Sequence, residues 1–393
     1  MELRAQSDFE RVSLAAVPSL ADTARCLQSQ AALLPVAPLS ELAMIHYRKA
    51  YCTLAGKDFA AAAAEFDKAA AAWKAASSAN RKQPEEPVPP VLPVLAAIAR
   101  LKSGAGGSGA GNAENDLVLA LAHPICAASL VTIQACETDL ITGHEWLGWL
   151  DQRNGNLVAA AREFDQTSNT AWQQWIAGRR AFEDRQYPQA AAAFRRAAEE
   201  WERQRNQSAP SFNDELRPQP DLGESFTDWG AAQLLAGDAS AAIATLDRAV
   251  KTAPSNARAY YLRARAKELA DREDAALADY SLASRTAFAE ASDLASGEAH
   301  LYRGILYYRR KDMARAEGEF SSALNFNIPA RLHADAEAWR YLAAVVSGSC
   351  GASRESLARA LGTVSPFFPE QEARDAMAAC PAATAASRAN LLR

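Results

Sequence analysis

The sequence predicts an all-α chain built from repeated helix pairs, and three observations predict it. First, laid against itself, the chain brings Gly230, Ala242, Leu246 and Ala249 into phase with Ala264, Ala276, Tyr280 and Ala283, thirty-four residues on. A fixed period of this size marks a supersecondary unit that must stack on its neighbours to bury its apolar face. Second, short turn signals such as "AGD" at 236–238 and "RKD" at 310–312 interrupt stretches that otherwise read as helix. Third, 393 residues of which 49% are apolar and 23% charged suffice for a sizeable core, in two or three domains or in one elongated array.

In chain order, a faint copy over 42–75 carries Ala50, Ala62, Phe66 and Ala69. Five good units span about 141–330. Gly148, Ala160 and Phe164 mark the first and Gly178, Ala190, Phe194 and Ala197 the second; then come the two units above and one with Gly304, Ala316, Phe320 and Ala323. A degenerate copy follows over 336–364, around Trp339 and Leu342. Compact residues at three fixed points let paired helices approach closely, near the lower end of the ~8–10 Å range, while the aromatic or leucine between them fills the remaining gap. Two departures stand out. Thr167 replaces the last small residue of one unit, and Ala264 to Gly304 is forty residues, which implies about two extra half-turns in "SRTAFAEASDLAS".

Residues 1–80 read as an N-terminal helical or degenerate repeat unit, and 113–393 as the main array with C-terminal capping helices. Between them, 81–112 reads as a linker region: "RKQPEEPVPPVLP" is proline-rich, "SGAGGSGAGN" at 103–112 is a flexible glycine-serine stretch, and one short helix, "VLAAIARLK", separates them. The long segment at 205–225 reads as a surface excursion between repeats.

The pattern resembles the tetratricopeptide repeat family, whose thirty-four-residue unit has small residues at its eighth, twentieth and twenty-seventh positions and often proline at its thirty-second. The unit from 223 to 256 matches all four, as Gly230, Ala242, Ala249 and Pro254. The resemblance implies an α-solenoid of helix-turn-helix repeats wound into a right-handed superhelix. It also implies that the second, fifth, sixth, ninth and twelfth positions of each first helix line a concave groove. Those offsets give Trp146 and Trp149; Trp172, Trp175, Arg179 and Phe182; Arg258, Tyr261 and Arg265; Tyr302 and Tyr308; and Arg340 with Tyr341. Aromatics and arginines are the residue types enriched at interface hot spots. The lysine and asparagine clamp of chaperone-binding relatives is not matched, because its positions read Thr227, Ala231, Leu262, Glu298 and Tyr302.

A formal net charge of -5, with acids and bases mixed along the chain, argues against a phosphate-neutralising face and so against a nucleic-acid partner. No apolar run approaches the ~18–20 residues that span a bilayer, and "MELRAQSDFERV" does not read as a signal peptide. Enzyme motifs fail in turn. "GHEWLGW" starts like a zinc-binding helix at His144 and Glu145, but residue 148 is glycine where a second histidine is needed. "GAGGSG" at 104–109 fits a dinucleotide fingerprint only in its letters, since it follows a helix rather than a strand. The histidines at 46, 123, 144, 300 and 333 lack metal-ligand spacing and read as ordinary helix residues. No metal or cofactor is expected.

Cys26 and Cys52 lie equidistant from residue 39 in the turn "PVAPLS", and Cys350 and Cys380 equidistant from Ser365 in "TVSPFFP". In an antiparallel hairpin such residues lie side by side, which suits disulfide geometry. Cys126 and Cys136 are ten residues apart, too far to bond along one helix, and pair only if the segment after Pro124 is not helical. Alternatively, the six cysteines are small apolar filler in an alanine-rich core. Bridges imply a periplasmic or secreted protein; free thiols imply a cytoplasmic one. The sequence thus points to a non-enzymatic scaffold that holds a protein or peptide. The competing reading is a regulatory or substrate-recruiting part of a larger enzyme such as a protease.

Overall fold

The computed structural model describes residues 4–7, 19–79, 87–104, 108–122, 124, 126, 130–207, 216–289 and 293–380. Every element longer than one turn among them is a helix: α1 (Leu20–Leu33), α2 (Leu39–Ala55), α3 (Phe59–Ala79), α4 (Val91–Lys102), α5 (Ser108–Ala122), α6 (Ile133–Arg153), α7 (Leu157–Asp165), α8 (Thr170–Glu183) and α9 (Tyr187–Gln207). These are followed by α10 (Leu222–Leu235), α11 (Ala239–Thr252), α12 (Ala257–Leu269), α13 (Glu273–Ala289), α14 (Asp293–Arg309), α15 (Met313–Ala323), α16 (Ala330–Val346), α17 (Ala352–Ala360) and α18 (Glu370–Ala379). The chain forms two compact units, Met1–Arg180 with Arg196–Pro220, and Ala181–Arg195 with Asp221–Arg393.

The turn inside each repeat has a common chemistry. Its fifteenth position is left-handed, as Lys57, Gly155, Arg185, Gly237, Asp271, Lys311 and Gly348, all with positive φ. The next residue often caps the second helix. Asp58, Asn156, Asp238 and Asp312 accept from the backbone N–H three residues on, at 3.1, 3.3, 2.9 and 3.1 Å. Such a cap is worth about 1 kcal/mol.

The core of each pair sits where the period places it. At the twenty-fourth position Phe66, Phe164, Phe194, Leu246, Tyr280, Phe320 and Leu357 are all buried. A methyl group built on Gly148 would stand 2.9 Å from the Phe164 ring, on Gly230 2.5 Å from Leu246 Cγ, and on Gly304 2.6 Å from the Phe320 ring. The small eighth residue is therefore a steric requirement of the helix approach. The forty-residue spacing is taken up by α13 and α14, each 17 residues long.

The expected linker is a core element. Val91, Leu92, Leu95, Ala96 and Ala99 of α4 join the cluster of α2 and α3, while Val94, Ala97 and Ile98 join that of α5 and α6. Apolar residues on all sides make this helix an interior one. Arg100 fastens it by donating to Asp67 on α3 at 2.6 and 2.7 Å and to Asp116 on α5 at 3.0 Å. Residues 108–112 are helical, not a flexible stretch; residues 81–86, 105–107, 208–215, 290–292 and the tail 381–393 lie outside the described residues.

The cysteines stand in three pairs at bonding distance. Cα–Cα separations are 6.0 Å for Cys26–Cys52, 5.8 Å for Cys126–Cys136 and 5.7 Å for Cys350–Cys380. The first joins α1 to α2 across their turn, and the third closes the α17–α18 pair. In the second, Cys126 lies outside any helix and Cys136 within α6, so the two do not share one helix. Among the described residues no helix is long and apolar enough to cross a membrane.

Gly304→Ala is expected to destabilise the fold by about 1–3 kcal/mol, because buried Phe320 must shift. The same change at Gly318, whose added Cβ meets nothing within 4 Å, should stabilise it by about 0.5–1 kcal/mol through helix propensity. Urea unfolding of the two variants checks the opposite signs. Thiol titration of the denatured, unreduced protein should find no reactive thiol, and six after reduction; six before reduction would remove the bridges.

Candidate functional site

In the second unit, the first helices of successive pairs touch in sequence: α10 meets α12, α12 meets α14, and α14 meets α16. Capping fixes the approach of α12. Asn256 accepts from the Ala259 N–H at 3.1 Å and donates from Nδ2 to Thr227 Oγ1 on α10 at 3.1 Å. Two residues on, Arg258 donates to buried Asp228 of α10 at 2.7 Å, and its side chain remains 47% exposed.

Tyr261 and Arg265 of α12 meet Tyr302 of α14, one turn on from Arg258. The Tyr261 and Tyr302 rings lie 5.7 Å apart, and the Arg265 guanidinium sits 4.2 Å from the Tyr302 ring centre. Glu268 gathers three donors: Arg265 at 3.0 Å, the Tyr280 hydroxyl at 2.7 Å, and Arg309 of α14 in close contact. Burial, reinforced by Glu298, pushes the Tyr261 phenol well above its ordinary value. Burial also raises the Glu298 carboxyl, against the pull of Arg258 and Arg265. The acidic groups that these arginines meet belong to the chain itself.

The remaining predicted residues are placed differently. Trp146, Trp172, Trp175 and Tyr308 are buried. Trp172 stacks on Phe164 at 5.1 Å and meets Trp201 edge-on at 4.9 Å, and Tyr308 packs on Trp339 and donates to Glu372 at 2.7 Å. Trp172, Trp175 and Tyr308 are packing residues rather than an open surface, because the first helix of a repeat must also fill the space toward its neighbour. Arg179 lies 5.3 Å from the buried Trp175 ring centre, and Arg153 lies 4.5 Å from that of half-buried Trp149. Phe182 meets Tyr187 at 5.5 Å, and Arg340 donates to the neighbouring Tyr341 hydroxyl at 3.0 Å.

Sequence reasoning missed a recurring polar pair. His46, His144 and His300, all at the fourth position, bond through Nδ1 to Glu65, Glu163 and Glu319 at 2.8, 2.7 and 2.8 Å. A spacing of nineteen residues in three units was the signal. Hydrogen bonds from Lys68, His46 and Lys49 outweigh burial and hold the Glu65 carboxyl down at about 2; those from His300 and Arg303 lower Glu319 in the same way.

These hairpins, with their small eighth residue, large twenty-fourth and left-handed fifteenth, form an all-α helical repeat. No family model and no curated protein matches the chain in sequence. Several solved structures are similar. MamA, residue 41 to its end, from Desulfovibrio magneticus RS-1 is 18% identical, over 48% of this chain and 94% of that one, with a TM-score of 0.35. YrrB, described as a TPR protein with an unusual peptide-binding site, is 15% identical over 48% and 88%, with a TM-score of 0.34. A human IFIT1 dimer with PPP-AAAA is 10% identical over 95% and 89%, with a TM-score of 0.41. None of these likenesses bears on which residues bind.

In the first unit, α6 also carries Asp139, buried beside Tyr47 and Tyr51 of α2. Burial raises its carboxyl from 3.8 to about 7. The folded state thus holds this proton more tightly than the unfolded chain does. Its contribution to stability is full below pH 3.8 and is lost as the pH rises through about 7. Asp139→Asn should therefore raise the unfolding temperature by several degrees at pH 8, with the gain shrinking toward pH 4; thermal scans across that range check it.

Proposed function

We propose that the chain is a non-enzymatic scaffold that holds a protein or peptide partner on the face presented by α10, α12 and α14. The carrying observation is the convergence of Arg258, Tyr261, Arg265 and Tyr302 from two successive first helices. The tyrosines offer area and hydroxyl donors at low entropic cost, and the half-exposed Arg258 offers a directional donor to a backbone carbonyl or an acidic side chain.

Charge pairing favours protein over nucleic acid. Arg258 is matched by Asp228, and Arg265 and Arg309 by Glu268. Affinity for phosphates grows with the number of cations free to neutralise them, and this alternation of sign leaves little surplus. The three cysteine pairs fit an oxidising compartment, so the periplasm or the extracellular space is the proposed setting.

Screening displayed peptides against the immobilised full chain tests the reading. Arg258→Gln, which can still hydrogen-bond Asp228, should weaken the selected peptides about tenfold, as loss of a charge-assisted contact does, in protein that circular dichroism shows to be folded. Selection of peptides indifferent to Arg258→Gln and Tyr302→Phe, or tighter binding of single-stranded oligoadenylate than of any peptide, would reject it.

A further inference from the structure

The long segment after α9 reads as a surface excursion, yet its far end is anchored in the interior of the first unit. The Trp146 indole N–H donates to the Leu216 carbonyl at 2.7 Å. The Leu216 side chain is 3% exposed and joins the apolar cluster of α2, α3 and α4. Pro218 is buried as well. Arg217 Nε lies 3.6 Å from Oε2 of Glu145, a fully buried carboxylate whose Oε1 accepts from Asn169 at 3.0 Å.

Three features give this contact the character of a bound peptide. Trp146 is buried, and its N–H meets a backbone carbonyl that comes from outside its own helix pair, seventy residues along the chain. The contacting sequence, Leu-Arg-Pro-Gln-Pro from 216 to 220, cannot continue as a helix because proline lacks the N–H and resists the α region before it. Recognition is divided as in peptide complexes: one apolar anchor, one main-chain hydrogen bond and one basic residue facing a buried acid.

We propose that this face of α6 is a peptide-binding surface occupied by the chain's own Leu216–Pro220, and that its exchangeable occupant is an extended peptide with an aliphatic residue followed by arginine and proline. A tethered occupant acts at an effective concentration on the order of millimolar. It excludes weak ligands and yields to one that supplies the same three contacts more tightly. The inference rests on reading the chain as a peptide-binding protein but concerns a different face from that of Arg258, and the two fail independently.

The probe is a fluorescein-labelled peptide, LRPQPD, added to the full chain and followed by anisotropy. Leu216→Ser with Arg217→Ser should open the surface, so that the peptide binds this variant at least about tenfold more tightly than it binds the wild type. Adding Trp146→Phe should abolish that gain, and adding Arg258→Gln should leave it unchanged. The peptide should also raise the unfolding temperature of the opened variant and not that of the wild type. If the double variant does not fold, Arg217→Glu, which sets a carboxylate against Glu145 at a partly exposed position, takes its place with the same expectation. A folded variant that binds the peptide no better than the wild type does, or binding indifferent to Trp146→Phe, overturns the proposal and makes Leu216 an ordinary core residue.

Discussion

Close approach of two helices at one point in each repeat governs the rest of the structure. Where Gly148, Gly230 and Gly304 face Phe164, Leu246 and Phe320, not even a methyl group fits without displacement. The large residue is buried because the small one lets it enter, and each such burial is worth about 1.5–3 kcal/mol. Ala264 and Tyr280 share one buried cluster, and Ala50 and Phe66 another, so an alanine serves at the same position in those units. Everything at the surface of a unit, including the tyrosines of α12 and α14, is held in place by this spacing.

Polar groups are arranged around that contact, some within the pair and some reaching the neighbouring one. Asp or Asn after the left-handed residue caps the second helix, and His or Arg on the first helix meets a carboxylate on the second. In the α12–α13 pair the same task falls to Arg263, which donates to Asp247 and Asp279 at 2.7 Å each, with Lys267 also on Asp279. A buried carboxylate without such partners would be costly. Asp139 shows the alternative: burial without comparable cations raises its affinity for a proton.

The periodic part of the fold was legible because steric fit ties particular residue sizes to particular positions. Gly230, Leu246 and Ala249 carry their meaning in their volume alone. The face of a given aromatic was not legible from its offset. Tyr261 and Trp172 occupy comparable first helices, yet Trp172 is consumed by packing on Phe164 and Trp201. The burial of α4 was obscured by its proline-rich flank, although Val91–Ala99 already has the all-round apolarity of an interior helix. The anchoring of Leu216 had no local signal, since it depends on Trp146, seventy residues earlier.

Among these features, the histidine–glutamate pairs reach furthest. Both members lie within one hairpin, at a fixed interval, in three places along the chain. A polar contact that closes on itself leaves nothing stranded when the segment bearing it is copied or deleted. The histidine–glutamate contact is therefore inherited intact with its hairpin, and an array of this kind can lengthen or shorten by whole pairs, although here Arg258 with Asp228 and Arg309 with Glu268 tie neighbouring hairpins by charge as well as by apolar surface.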